Sequence, residues 1–251
     1  MKPITQNMST NPTSLLPIIV LVIIASGCAE THRPVTPVMA TAEYAARDPV
    51  PTSLFPSDQM VLSDDAVARI LSSKLELPPK AKLAIMRFPD AEQGRYYWRN
   101  EQYLKLQEAQ IDTLTKALLA SDQIAEVTPL PSLMVPRQLS LPILREAAVR
   151  MQCDLLLVYR VGSDTYSQYR AFSKDRVKAY STCEMVLLDV RTGLVPFTRV
   201  VSREKTEAKL STDFDLTETM QRAEDESAAD ALNAGAEDLV AFIKTIPKKS
   251  D

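Results

Sequence analysis

The sequence predicts an α/β domain (α+β by the order of its elements), with a mixed sheet of about five strands packed by helices. Apolar runs of strand length alternate with segments whose apolar residues recur at helical spacing. One run, 154–159, is almost continuously apolar, as in a central strand covered on both faces. Two later strand-like runs flank Arg191-Thr192-Gly193, which indicates a hairpin. We expect a single domain at 60–248, after a signal peptide at 1–27 and a tether at 28–59.

The first half of the domain is predicted to run helix, strand, helix, strand. Ser63, followed by two aspartates, favours the start of a helix that ends before Pro78. A strand at 82–88, a helix at 100–120 and a short strand at 124–128 follow. Each helix is expected to have one apolar face. In the first helix it consists of Ala66, Val67, Ile70 and Leu71, and in the helix at 100–120 of Leu104, Ile111, Leu114 and Leu118.

The second half is predicted to hold a helix, three strands and a long final helix. Pro142 suits the first turn of a helix at 141–151, and the central strand at 154–159 follows it. The polar stretch at 163–178 is expected to be a loop. Pro196 indicates a strand that starts irregularly or lies at a sheet edge. The remaining elements are predicted at 178–190 and 194–209, as strands, and at 215–246, as a helix.

An apolar segment near the start predicts a lipid anchor. It runs from Leu15 to Ala25, about ten residues, which fits a signal peptide and is too short to span a bilayer. It ends in Ser26, Gly27 and Cys28, which resembles a bacterial lipobox, where signal peptidase cuts before the cysteine and acyl chains are attached. Cys28 is therefore the predicted lipidation site. The alternatives are an ordinary secretory signal, or a short apolar start that happens to contain a cysteine.

The residues after Cys28 predict where the domain is held. Ala29, rather than Asp, follows the cysteine, and by resemblance to Gram-negative sorting signals this favours the outer membrane, facing the periplasm. The next stretch is rich in proline, threonine, alanine and serine and reads as an extended, poorly ordered tether. Its prolines are Pro34, Pro37, Pro49, Pro51 and Pro56.

Composition argues against catalysis and nucleic-acid binding. A net charge of −3 is unlike the basic balance of nucleic-acid binders. The single histidine, His32, lies in the tether, which nearly excludes a Ser/His/Asp triad. None of the 5 glycines forms a phosphate-binding loop. We therefore expect a protein that is not an enzyme and that holds no cofactor or metal.

Two cysteines and one acidic cluster are the remaining reactive groups. Cys153 and Cys183 lie in apolar, strand-like surroundings, so they are either buried free thiols or, in an oxidising compartment, a disulfide. The cluster is interpreted as a solvated helix face rather than a cation site. Its carboxylates are Glu218, Glu224, Asp225 and Glu226.

Two aromatic stretches are candidate partner-binding surfaces. Tyrosine, tryptophan and arginine are enriched at interface hot spots. The alternatives are local packing against the sheet, or contact with glycans or lipid headgroups. The candidate residues are Tyr96, Tyr97, Trp98 and Arg99 before the long helix, and Tyr166, Tyr169 and Phe172 in the 163–178 stretch.

Three stretches resemble a superfamily of bacterial envelope lipoproteins. They are 82–88 as a first strand, 147–158 as a helix-to-strand passage, and 186–193 as a hairpin. The superfamily includes the curli-secretion channel lipoprotein, the penicillin-binding-protein activator lipoprotein and the N-terminal domain of the Tol-Pal translocation protein. The resemblance implies an α/β fold and a lipid anchor at Cys28. In contrast to the curli channel, the 163–178 stretch is too short and polar for two membrane strands.

The favoured function is a non-catalytic interaction or assembly module, anchored through Cys28 to the membrane and bound to an envelope protein or to copies of itself. One alternative is a subunit of an oligomeric outer-membrane secretion complex. Another is an enzyme acting on cell wall or glycan. It would need a pair of catalytic carboxylates, and the sequence does not show which residues would form that pair.

Overall fold

The computed structural model describes residues 53–55, 62–88, 101–135, 139–168 and 175–249. Side chains at positions 102, 103, 132 and 168 are excepted. The predicted signal peptide, Cys28 and most of the predicted tether lie outside these residues. Within them, no helix has the length and apolar character needed to cross a membrane.

A five-stranded mixed sheet forms the centre of the domain, in the order β2-β1-β3-β4-β5. Strand β1 is parallel to β2 and β3, whereas β3–β4 and β4–β5 are antiparallel. This confirms the predicted fold class. The strands are β1 (Ala81–Arg87), β2 (Ile124–Pro129), β3 (Leu155–Gln168), β4 (Arg176–Asp189) and β5 (Phe197–Ala208).

Helices pack on both faces of this sheet. Leu118 of α2 and Leu239 of α4 share one apolar cluster with the sheet, and Leu144 of α3 belongs to a second cluster with Leu156 and Val158 of β3. The first part of β3 is therefore covered on both sides, as its apolar run predicts. The helices are α1 (Asp64–Ser72), α2 (Glu101–Leu119), α3 (Leu141–Arg150) and α4 (Leu216–Thr245), with a 3₁₀ turn at Ser132–Met134.

The predicted apolar faces of two helices are partly wrong. No residue of α1 is buried, and Leu71 is 80% exposed. In α2, Leu114 and Leu118 are buried as predicted, but Leu104 is 54% exposed. Helical spacing places residues on one side of a helix, but burial needs a second element packed there.

The loop predicted at 163–178 is also wrong. Strand β3 continues to Gln168 and β4 begins at Arg176, so the two strands form a long hairpin beyond the apolar core. The inward-facing positions of this part of β3 are Ser163, Thr165 and Ser167, and Ser181 of β4 pairs with Ser163. Because small polar residues occupy the inner face, the apolar alternation that marks a half-buried strand is missing from the sequence.

The two cysteines lie on opposite faces of the sheet. Cys183 belongs to the cluster covered by α2 and α4, and Cys153 to the cluster covered by α3. Both are buried free thiols, which resolves the choice left open by the sequence. Burial raises the pKa of the Cys183 thiol to about 12, so it stays protonated and unreactive at neutral pH.

Candidate partner-binding face

Beyond the part of the sheet that α3 covers, strands β3, β4 and β5 have one helix-covered face and one open face. Along β4 the burial alternates as far as Leu187: Val177, Ala179 and Ser181 are buried towards α4, while Lys178 and Tyr180 are exposed. Paired residues of neighbouring strands share a face, so the alternation extends across all three strands. We define the open face as Arg160, Gly162, Asp164, Tyr166, Lys178, Tyr180, Thr182, Glu184, Val200, Ser202, Glu204 and Thr206.

A chain of serine hydroxyls fixes the opposite face to α4. The Oγ atoms of Ser163 and Ser181 lie 2.8 Å apart, and those of Ser181 and Ser227 lie 2.5 Å apart. The Ser227 hydroxyl also donates to the backbone oxygen of Glu224 at 3.1 Å. Buried hydroxyls need such partners. This series of hydroxyl hydrogen bonds therefore sets which face of the hairpin is turned away from α4.

Two exposed tyrosines stand on the open face. Tyr166 pairs with Lys178, and Tyr180 lies in one cross-strand row between Asp164 and Glu204. The two tyrosine residues are 49% and 44% exposed. Exposed tyrosines on a rigid sheet offer large contact area at a small cost in side-chain entropy, which suits a protein interface.

Two ion pairs lie on the open face. Lys178 Nζ lies 2.7 Å from Glu204 Oε2, and Arg160 Nη2 lies 2.6 Å from Glu184 Oε2. Each of these side chains is about a third exposed or more. Such pairs contribute little to folding stability. They place both signs of charge on the surface that carries the two tyrosines.

A cavity of about 430 Å³ lies at the edge of the open face. Its wall includes the short stretch Ser53–Phe55, in which the backbone oxygen of Leu54 accepts a hydrogen bond from Leu141 N at the start of α3, at 3.1 Å. The end of the predicted tether therefore contacts the domain. The other lining residues include Phe88, Val158, Arg160, Glu184, Val186, Val195 and Thr198.

Two carboxylates near the start of α4 are perturbed in opposite directions. The guanidinium of Arg222, with the backbone N–H of Leu210 and the hydroxyl of Thr219, lowers the pKa of Asp213 well below its usual range. Burial raises the pKa of Glu224 to about 7, with smaller contributions from the charges of Asp225 and Asp164. Glu224 is half-buried, so the predicted solvated helix face is only partly exposed at this residue.

One of the sequence-predicted site residues lies within the described part of the chain. Tyr166 stands on the open face, on a strand rather than in a loop. Among these same described residues, no group of three or more metal-binding side chains comes together. The predicted residues outside the described ranges are Cys28, Tyr96, Tyr97, Trp98, Arg99, Tyr169 and Phe172.

Sequence reasoning missed Tyr180, Val200 and the cavity. A signal for Tyr180 was present, because Lys178, Tyr180 and Thr182 alternate with Ala179 and Ser181, a period of two typical of a strand. The cavity had no such signal, because its walls come from segments distant in sequence.

Several solved structures of bacterial proteins align with this chain at low sequence identity and low TM-score. A minor lipoprotein of Acinetobacter baumannii has 14% identity, a TM-score of 0.33, and coverage of 70% of this chain and 99% of its own. A hypothetical protein of Chlamydia trachomatis has 13% identity, a TM-score of 0.35, and coverage of 66% and 96%. A lipoprotein of Neisseria meningitidis has 13% identity, a TM-score of 0.26, and coverage of 66% and 98%. No protein-family model and no curated protein matches the chain.

Proposed function

We propose that this protein is a lipid-anchored bacterial envelope lipoprotein whose domain binds another envelope protein through its open face and performs no catalysis. The observation that carries the proposal is the open face itself: a three-stranded surface with Tyr166 and Tyr180 exposed in neighbouring cross-strand rows and Val200 exposed two rows further along. Exposed aromatic and apolar residues grouped on one surface mark interaction sites.

The lipobox supports the anchoring part of the proposal. Acylated Cys28 would hold the domain at the outer membrane, on the periplasmic side, as in the envelope lipoproteins that the sequence resembles. Stable anchoring takes more than one acyl chain, which bacterial lipoproteins carry. Anchoring raises the effective concentration of the domain near other envelope proteins, so a modest affinity of the open face is sufficient for recruitment.

The partner-binding part is tested by crosslinking in cells that express the full chain. We expect one distinct envelope protein to be captured with the native chain. Tyr166→Ala and Tyr180→Ala, singly and together, should reduce capture at least tenfold, because truncated hot-spot residues cost about 2 kcal/mol or more. Phe214→Ala is the matched control, because Phe214 is 89% exposed and lies outside the open face.

Three outcomes would contradict this proposal. Equal capture by all variants would show that the open face does not bind the captured protein. A ladder of the chain crosslinked to itself would favour the alternative, a subunit of an oligomeric secretion complex. Cleavage of peptidoglycan by the purified chain would favour an enzyme.

The anchoring part has a separate test. Cys28→Ser should move the protein from the membrane fraction to the soluble envelope fraction and remove incorporation of labelled palmitate. Cys153→Ser is the matched control and should change neither result, because Cys153 is a buried thiol of the domain. Palmitate incorporation that persists in Cys28→Ser would place the anchor elsewhere.

A further inference from the structure

We propose that the cavity beside the open face binds a single-chain zwitterionic phospholipid. Its acyl chain would fill the cavity, its phosphate would contact Arg160, and its ammonium group would contact Glu184. This inference concerns a separate ligand. Arg160 and Glu184 also belong to the open face, so the test measures lipid binding by the purified chain, which requires no protein partner.

The walls of the cavity suit an acyl chain. A volume of about 430 Å³ lies within the range of about 300–1,000 Å³ that is usual for small-molecule sites. The lining is mainly apolar and comes from six separate stretches of the chain between residues 53 and 198. The apolar side chains are Leu54, Phe55, Phe88, Leu141, Val158, Val186 and Val195.

The polar part of the lining supplies one cation and one anion side by side. Arg160 Nη2 donates to Glu184 Oε2 at 2.6 Å, and both side chains retain solvent access, at 31% and 43% exposure. Within the described residues, neither side chain makes a second hydrogen bond. A guanidinium has five N–H donors, so Nε and Nη1 remain for a phosphate, and Glu184 Oε1 remains for an ammonium group.

The paired charges select among amphiphiles. A fatty acid or an anionic phospholipid would satisfy Arg160 but place its own negative charge against Glu184. A cationic amphiphile would meet the reverse conflict with Arg160. A phosphoethanolamine head carries both charges at short separation, so it matches both side chains without leaving either facing a like charge.

A second ion pair on the open face provides an internal control. Lys178 and Glu204 form a pair of the same kind, at 2.7 Å, but neither side chain lines the cavity. If the lipid binds in the cavity, substitutions of Arg160 and Val186 should alter lipid binding, and a substitution of Lys178 should not.

The test uses the full chain with Cys28→Ser, purified without detergent, and lysophosphatidylethanolamine below its micelle concentration as the probe. Calorimetry and native mass spectrometry should show one bound lipid per chain, at least fivefold tighter than lysophosphatidylglycerol. Val186→Trp, which places a larger side chain in the cavity, and Arg160→Met should each weaken binding about tenfold or more. Lys178→Met should leave it within twofold.

Several results would overturn the proposal. These are no saturable binding, equal affinity for the zwitterionic and anionic lipids, or equal loss with Lys178→Met and Arg160→Met. Circular dichroism first establishes that each variant is folded. If Val186→Trp does not fold, Val195→Phe serves as the second cavity-filling variant. Self-association that is lost in these variants, without lipid binding, would identify the cavity as a contact between copies.

Discussion

The two faces of β3, β4 and β5 belong to the same strands but differ in burial. On the helix-covered face, Cys183, Met185 and Leu187 are almost completely buried against α4. On the open face, Tyr180 and Val200 are exposed among solvated ion pairs. The comparison shows that one strand can carry folding stability on its odd-numbered residues and leave its even-numbered residues exposed, where we propose the binding surface. Substitutions can therefore be chosen to damage one property and spare the other.

The largest expected difference between the faces is in stability. Leu187→Ala removes a side chain that is 0% exposed, and it should lower the free energy of unfolding by about 2–5 kcal/mol. Val200→Ala, at a residue 65% exposed, should change it by less than about 0.5 kcal/mol. Urea denaturation measures both values. Similar losses for the two variants would mean that the open face is covered in the folded protein.

An intermediate effect is expected at Glu224, at the edge of the helix-covered region. Its pKa is raised from 4.5 to about 7, mainly by burial and then by the charges of Asp225 and Asp164. The folded chain therefore retains a proton there that the unfolded chain releases above its lower pKa. Stability should fall as pH rises from about 4.5 to about 7, and then level off.

Substitution of Glu224 isolates this contribution. Glu224→Gln should remove the pH-dependent loss, so the variant exceeds the native chain by about 1–3 kcal/mol at pH 8 and matches it near pH 4. Urea denaturation across this pH range measures the difference. Glu237→Gln, at an exposed position of the same helix, is the control and should retain the native pH profile. A native chain of equal stability at both pH values would contradict the prediction.

The smallest expected effect on folding is on the open face itself. Lys178 and Glu204 are 50% and 61% exposed, and breaking a surface pair of this kind costs less than about 1 kcal/mol. Lys178→Met should therefore leave the urea midpoint nearly unchanged, and a double-mutant cycle with Glu204→Gln should give a coupling energy of a few tenths of a kcal/mol. A coupling above about 1 kcal/mol would show that the open face helps to hold the hairpin.

The fold could be predicted from the sequence wherever the spacing of apolar residues matches the burial seen in the structure. The apolar run at the start of β3 predicts a central strand, and the structure places β3 between β1 and β4. Pro196 indicates a strand that starts irregularly or lies at an edge, and the structure places β5 at the sheet edge. The extension of β3 and β4 could not be predicted from apolar alternation, because Ser163 and Ser181 use hydrogen bonds where other strands use apolar packing. Of the candidate site, Tyr166 was found by residue type alone.

The sequence by itself determined the order of helices and strands, the central position of β3 and the lipobox-like residues around Cys28. These features depend on local spacing, and local spacing is written in the chain. Only the tertiary structure decided that α3 leaves part of the sheet uncovered, that Tyr166 and Tyr180 share one face, and that Arg160 and Glu184 meet beside a cavity. These features join residues far apart in sequence, and their positions are set by how the helices pack and by the register of the strands.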